Sequence, residues 1–219
     1  MYKRQISEGV TNIEQYAFSG CKGLTSINLP ESVTNIGEAA FWRCEGLTSI
    51  NIPQKVTILE DYIFSGCKGL KSFNIPRNIT KIGYGAFAGS GLLSIEIPEG
   101  FTTIEDKTFA GCQSLKSVSL PNSLKTIGKM EKGSFVTSGN GVFRGCKSLQ
   151  TITIPSNVSE IGCHTFCDCP SLESITLPLN LTTIGDFTFY GCSGLKSIVI
   201  PPNAVSYTHL RAHETSAHL

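Results

Sequence analysis

The chain is short of charge. Of its 219 residues 16% are charged, 18 Lys and Arg against 17 Asp and Glu, where about a quarter is usual. A net charge of +1, with no Lys/Arg cluster interleaved with aromatics, removes the electrostatic basis for binding nucleic acid or anionic membrane. No stretch reaches the roughly 18 consecutive apolar residues that a membrane span needs, so no membrane insertion is expected. Met1 to Val10 lacks the apolar core of a signal peptide. A nucleophile–base pair and a phosphate-cradling loop are also missing. Acidic residues such as Glu96, Asp106 and Asp186 are scattered, read as occupying unrelated columns, and are not expected to converge on one groove. The sequence therefore predicts no catalysis and no cofactor.

What the chain does have is a period. Phe18, Phe41, Phe64, Phe87, Phe109, Phe143, Phe166 and Phe189 fall at intervals of 23, 23, 23, 22, 34, 23 and 23 residues. Pro30, Pro53, Pro76, Pro98, Pro121, Pro155, Pro178 and Pro201 keep the same beat. A fixed period of this length builds a solenoid from units that cannot bury their apolar side alone.

Residues Pro30 to Ile52 give the template P-x-x-V-T-x-I-G-x-x-A-F-x-G-C-x-x-L-x-S-I-x-I. Alternation in L-x-x-I-x-I puts Ile50 and Ile52 on one face and Ser49 and Asn51 on the other. Stacked units then predict one parallel sheet, with strands centred near Ile27, Ile50, Phe73, Ile95, Val118, Ile152, Ile175 and Ile198. Each Pro removes a donor where pairing stops.

Val33 and Ile36 begin the crossover, and A-F-x-G-C is short enough for one helical turn. Gly stands before the Cys in five units and before Ser90, which replaces Cys, in a sixth, fitting a left-handed position, although Arg43 and Asp168 occupy it elsewhere. The residue after Ile36 alternates between Gly (37, 83, 128, 162, 185) and Glu (14, 60, 105). A position so tolerant of Glu is expected to be exposed with ordinary backbone angles. The Phe column is expected to form a continuous stacked spine.

These columns resemble the BspA-type leucine-rich repeats of surface proteins from oral and gut bacteria, treponemes and parasitic protists. The resemblance spans residues 6–201. It implies an α/β solenoid: a right-handed leucine-rich-repeat superhelix of about eight 23-residue repeats, with a parallel β-sheet on one face. It also implies adhesion or protein binding, at the cell surface or after secretion, with a host or extracellular-matrix protein as the type of partner. A structural spacer is the alternative function. A polysaccharide-acting enzyme on a parallel β-helix is a remote one.

The domain reading is residues 1–201 as the repeat array and 202–219 as a foreign tail. Ile6 holds the place of Leu29 and Ile52, so the chain is expected to begin inside a longer array. Its uncapped ends predict end-to-end self-association. Val205 to Thr215 resembles a translated sequencing adaptor. That resemblance makes the His209–His213 spacing, otherwise that of two ligands on a helix face, a coincidence without metal chemistry.

Of nine cysteines, Cys21, Cys44, Cys67, Cys112, Cys146, Cys169 and Cys192 stand in one repeat column. Stacked thiols point the same way, so they are expected to be buried and reduced. Cys163, Cys167 and Cys169 with His164 form the one cluster of soft ligands. They belong to different columns, so the expectation is surface thiols at Cys163 and Cys167, and no metal.

The outward column Ser26, Ser49, Ser72, Ser94, Ser117, Thr151, Ser174 and Ser197 predicts a ladder of hydrogen-bonded hydroxyls. Two residues further on, Asn28, Asn51, Asn74, Glu96, Ser119, Thr153, Thr176 and Val199 vary in chemistry. They are the candidate binding surface. The extra residues Lys129 to Val142 predict a projecting loop.

Overall fold

A computed structural model describes residues 6–130 and 140–204. β-Branched residues fill two short segments of every unit, and both become strands, because a branched side chain packs well on a half-buried pleated surface. The L-x-x-I-x-I segments pair as Ser26–Ile27 with Ser49–Ile50, Ser94–Glu96 with Ser117–Ser119, and Thr151–Thr153 with Ser174–Thr176. All the pairing is parallel, and every partner stands at the equivalent place in the next unit.

The V-T-x-I segments form a second ladder that the sequence reading assigned only to the crossover. Asn12–Ile13 pairs with Asn35–Ile36, and Ile58–Leu59 with Lys81–Ile82. Thr103–Ile104, Thr126–Ile127, Glu160–Ile161 and Thr183–Ile184 follow as one four-stranded run. Eight strands at this position bound seven full turns. The fold is thus a parallel-strand solenoid of about seven turns.

Three expectations change. The described residues contain no helix, so the α/β class gives way to strands and turns. The A-F-x-G-C segment cannot hold a helical turn because two residues in nearly every unit are left-handed. One lies two places after the Phe, at φ 54° to 74°, and includes Arg43 and Asp168 beside the six glycines. The other lies two places before it, at Tyr16, Ala39, Tyr62, Gly85, Lys107, His164 and Phe187.

The predicted single sheet is divided into short ladders, and residues around Phe73 and Ile198 are not strands. Phe73 carries a ring where its neighbours carry Ile. That ring tilts between Phe64 and Phe87, with centroids 5.2 and 5.1 Å away, and this bulk holds its rung out of the ladder. Ile198 is partly buried against the core.

The residues after Ile36 are also not simply exposed. Gly37 and Gly185 lie so close to the preceding turn that a Cβ would come within 2.6 Å of the Gln15 nitrogen and 2.3 Å of the Cys163 nitrogen. Glu14 is exposed, but Glu60 and Glu105 are half-buried. Gly128 also departs from ordinary angles, with φ +72°.

The core lies between the two ladders. The expected Phe spine is present, with successive rings stacked from Phe18 to Phe189 at centroid separations of 5.3 to 5.8 Å. Six of the eight are fully enclosed. The turn backbone adds bonds running forward along the solenoid: the Phe18 N–H donates to the Ala40 carbonyl at 2.8 Å, and the Gly20 N–H to that of Trp42 at 2.7 Å. Strand segments bond in both directions, backward from the Thr34 N–H to the Thr11 carbonyl at 2.8 Å and forward from the Ile97 N–H to the Ser119 carbonyl at 3.0 Å.

Candidate functional site: the outward strand columns

Strand alternation aims the candidate residues away from the core, since Ile27, Ile95 and Ile152 point inward and are buried. Asn28, Asn74, Glu96, Ser119, Thr153, Thr176 and Val199 are exposed, and Val199 is 85% exposed. Within the ladders Glu96 stands directly beside Ser119, and Thr153 beside Thr176. Neighbouring rungs are thus about 4.8 Å apart. The face offers hydroxyls and amides with a single carboxylate, which is a hydrogen-bonding surface.

Asn51 is the exception. It is half-buried, and its side chain makes two bonds to one residue of the turn before. The Leu29 N–H donates to its Oδ1 at 2.7 Å, and its Nδ2 donates to the Leu29 carbonyl at 2.8 Å. The amide thus replaces backbone pairing where the Ser49–Ile50 strand stops.

Beyond Asn51 the ladder opens at Phe73. A groove of ≈ 320 Å³ results, lined by Ser49, Asn51, Ser72, Phe73 and Asn74 among others. The structure brings these candidates together at a point that the sequence reading treated as one more rung.

The hydroxyl ladder occupies different columns from the expected one. Thr48 Oγ1 donates to the Thr25 carbonyl at 2.9 Å, immediately beside the Ser column. Thr34, Thr80 and Thr182 donate to Thr11, Thr57 and Ser159 at 3.1, 3.2 and 3.0 Å on the second strand face.

The acidic residues have structural partners. Asp61, Asp106 and Asp186 share one position in the repeat, three residues before the Phe, so Asp106 and Asp186 do not lie in unrelated columns. Asp61 accepts the Tyr84 N–H and Asp106 the Lys129 N–H, both at 2.9 Å. Glu96 belongs to the outward strand face instead.

No disulfide joins the nine cysteines. Cys21 is half-buried, and the other six column thiols are buried as expected. Cys163 and Cys167 are not surface thiols: their residues are 9% and 3% exposed. Cys167 sits between Arg144 and Tyr190 in its column, and both are large enough to close over a Cys. The Arg144 guanidinium also reaches Asp168 at 3.6 Å. The Cys163 N–H donates to the Lys129 carbonyl at 3.2 Å, and Gly185 presses on it from the next turn. Among the described residues no group of three or more His, Cys, Asp or Glu is placed to hold a metal ion. Most of the Lys129–Val142 insertion, and His209, His213 and the rest of 205–219, lie outside the described residues.

Residues 1–99, 80–131 and 132–217 match the model of the BspA type leucine rich repeat region. A leucine-rich repeat protein from Bacteroides ovatus is 39% identical, with a TM-score of 0.81, covering 90% of this chain and 49% of that one. The chain therefore spans about half the length of that relative.

A leucine-rich repeat protein from Eubacterium ventriosum is 24% identical over 93% of this chain and 80% of its own, with a TM-score of 0.49. A leucine rich cell surface protein from Faecalibacterium prausnitzii is 21% identical over 92% and 70%, with a TM-score of 0.43. No curated protein matches the chain.

Proposed function

Because the chain belongs to the family of BspA-type leucine-rich-repeat proteins, we propose that it is a protein-binding module of a microbial cell-surface or secreted protein. It does no chemistry of its own. Its partner is a protein, such as one of a host surface or extracellular matrix, held on the outward strand columns.

One observation carries this reading. Seven of the eight positions from Asn28 to Val199 are exposed, while their chemistry runs through amide, carboxylate, hydroxyl and aliphatic. The inward residues beside them are held to Ile, Val or Phe. A rigid scaffold that presents changeable groups at fixed spacing is suited to reading another surface. The groove at Phe73 gives that face a concavity between Asn51 and Asn74.

The test is biolayer interferometry of the purified protein against a panel of purified matrix and epithelial-surface proteins. Saturable, reversible binding to at least one member is expected. Uniformly absent binding, or equal weak binding to every member, would count against an adhesive role.

A further inference from the structure

On the turn side of the solenoid, Tyr16, Ala39 and Tyr62 occupy one repeat position in three successive units. All three are left-handed, with φ of 58°, 52° and 55°, so the backbone sends their Cβ atoms in the same direction. Ala39 therefore leaves a gap in a column of tyrosines.

The gap is a pocket of ≈ 230 Å³ lined by Tyr16, Glu38, Ala39, Trp42 and Tyr62. Two rungs of about 4.8 Å set the tyrosine backbones roughly 10 Å apart. A group midway between them lies about 5 Å from either wall, inside the ≈ 6 Å reach of a cation over an aromatic ring. The Tyr16 hydroxyl donates to Glu38 Oε1 at 3.4 Å, which holds the carboxylate at the rim.

The surrounding rings already hold the chain's own cations. The Arg43 guanidinium carbon lies 4.3 Å from the Trp42 ring centroid, and Lys107 Nζ lies 5.3 Å from that of Tyr84. The lining itself contributes a carboxylate and no base.

We propose that this pocket binds a quaternary ammonium group, such as the trimethylammonium of choline. Two tyrosine rings, a methyl floor and one carboxylate, beside a Trp42 ring that already carries Arg43, favour a compact, weakly hydrated cation. A primary ammonium has three N–H groups that need acceptors, and here the one carboxylate is already shared with Tyr16. The trimethylammonium has no N–H to satisfy. The site lies on the turn column, away from the outward strand face, so it stands or falls independently of the protein-binding reading.

Trp42 is the only tryptophan in the chain, so intrinsic fluorescence reports on this pocket directly. The protein is titrated with choline and with 3,3-dimethyl-1-butanol, its neutral isostere. Choline is expected to give a saturable change in the millimolar range, with the isostere about ten-fold weaker or inactive. Glu38→Gln should weaken choline binding several-fold.

Ala39→Tyr should abolish binding while leaving the melting temperature near that of the parent, because Tyr is already accommodated at the rungs on either side. Co-sedimentation with phosphatidylcholine vesicles, run beside the free titration, identifies a lipid headgroup as the source if protein pellets, and a free solute if it does not.

Equal responses to choline and its isostere would overturn the proposal, as would no saturable response. So would a response to a neutral sugar such as cellobiose in place of choline, or full choline binding by a folded Ala39→Tyr protein.

Discussion

The Cys67 thiol donates to the main-chain carbonyl of Phe41, one turn earlier, at 3.2 Å. The same bond joins Cys44 to Phe18, Cys112 to Phe87, Cys146 to Phe109, Cys169 to Phe143 and Cys192 to Phe166, at 3.0 to 3.2 Å. The Phe rings stack on one another while six of the eight Phe carbonyls accept a thiol from the next turn; Phe64 does not, because the next unit carries Ser90 in place of Cys. The two columns therefore hold adjacent units together as a pair.

Thiol accessibility follows from this burial. Cys21 is the one column thiol that is only half-buried, so a thiol reagent under native conditions should modify it first. Cys163 and Cys167 should react as slowly as the column thiols. Mass spectrometry of partially labelled protein checks the order. Early modification of Cys67 or Cys112 would contradict the packing.

Burial also pushes the thiol pKa of Cys67 up to about 12 and that of Cys112 to about 11, from an ordinary 9.0. The neutral form is the one favoured in the fold. Its contribution is complete below pH 9. As pH rises further the unfolded chain releases these protons while the folded chain keeps them, so stability falls until about pH 11–12. The expected loss approaches ~1.4 kcal/mol per thiol for each pH unit in that window. Urea melts at pH 8 and pH 10.5 measure it, and the double variant Cys67→Ser/Cys112→Ser should show a shallower decline.

Phe109 is fully buried, 5.8 Å from Phe87 and 5.6 Å from Phe143 between ring centroids. Phe109→Ala removes a ring from the middle of the spine. It should cost about 3–5 kcal/mol, read from chemical denaturation.

Asn51 tests the division between structure and binding on the outward face. Asn51→Ala strips the bonds to the Leu29 N–H and carbonyl and should destabilise the protein by about 1–3 kcal/mol. Asn74→Ala, at an exposed position, should stay within about 0.5 kcal/mol of the parent. Thermal melts of the two variants make the comparison.

The repeat, the parallel register of six strands and the Phe spine were legible because each depends on the period and on side-chain type. The second ladder was less visible: V-T-x-I is short, and it reads equally well as the lead-in to a turn. The left-handed positions at Tyr16 and Lys107 carried no signal, since no glycine marks them. Tertiary packing holds these residues at a cost of roughly 1–2 kcal/mol each.

Cys163 aligns with Glu38, and Cys167 with Ser19 and Trp42, residue types that read as a surface in the sequence but are half-buried in the fold. The groove at Phe73 depends on one ring standing where Ile is usual. The outward columns were legible as a face, but nothing in the repeat pattern sets Asn51 apart from Asn28 and Asn74, so its bonds to Leu29 were not.

The central claim is that the outward strand columns carry the partner while the rest of the solenoid only positions them. The most direct test compares the dissociation constant of the parent with two triple variants, against the panel protein it binds best. One is Asn74→Arg/Glu96→Arg/Thr153→Arg on the strand face. The other is Lys55→Glu/Arg77→Glu/Lys125→Glu, two exposed positions between the ladders and one on the second strand face. The account predicts that the strand-face variant binds at least about ten-fold more weakly, a difference of about 1.4 kcal/mol, while the other binds like the parent. Equal losses in both, or a loss confined to the second, would contradict it.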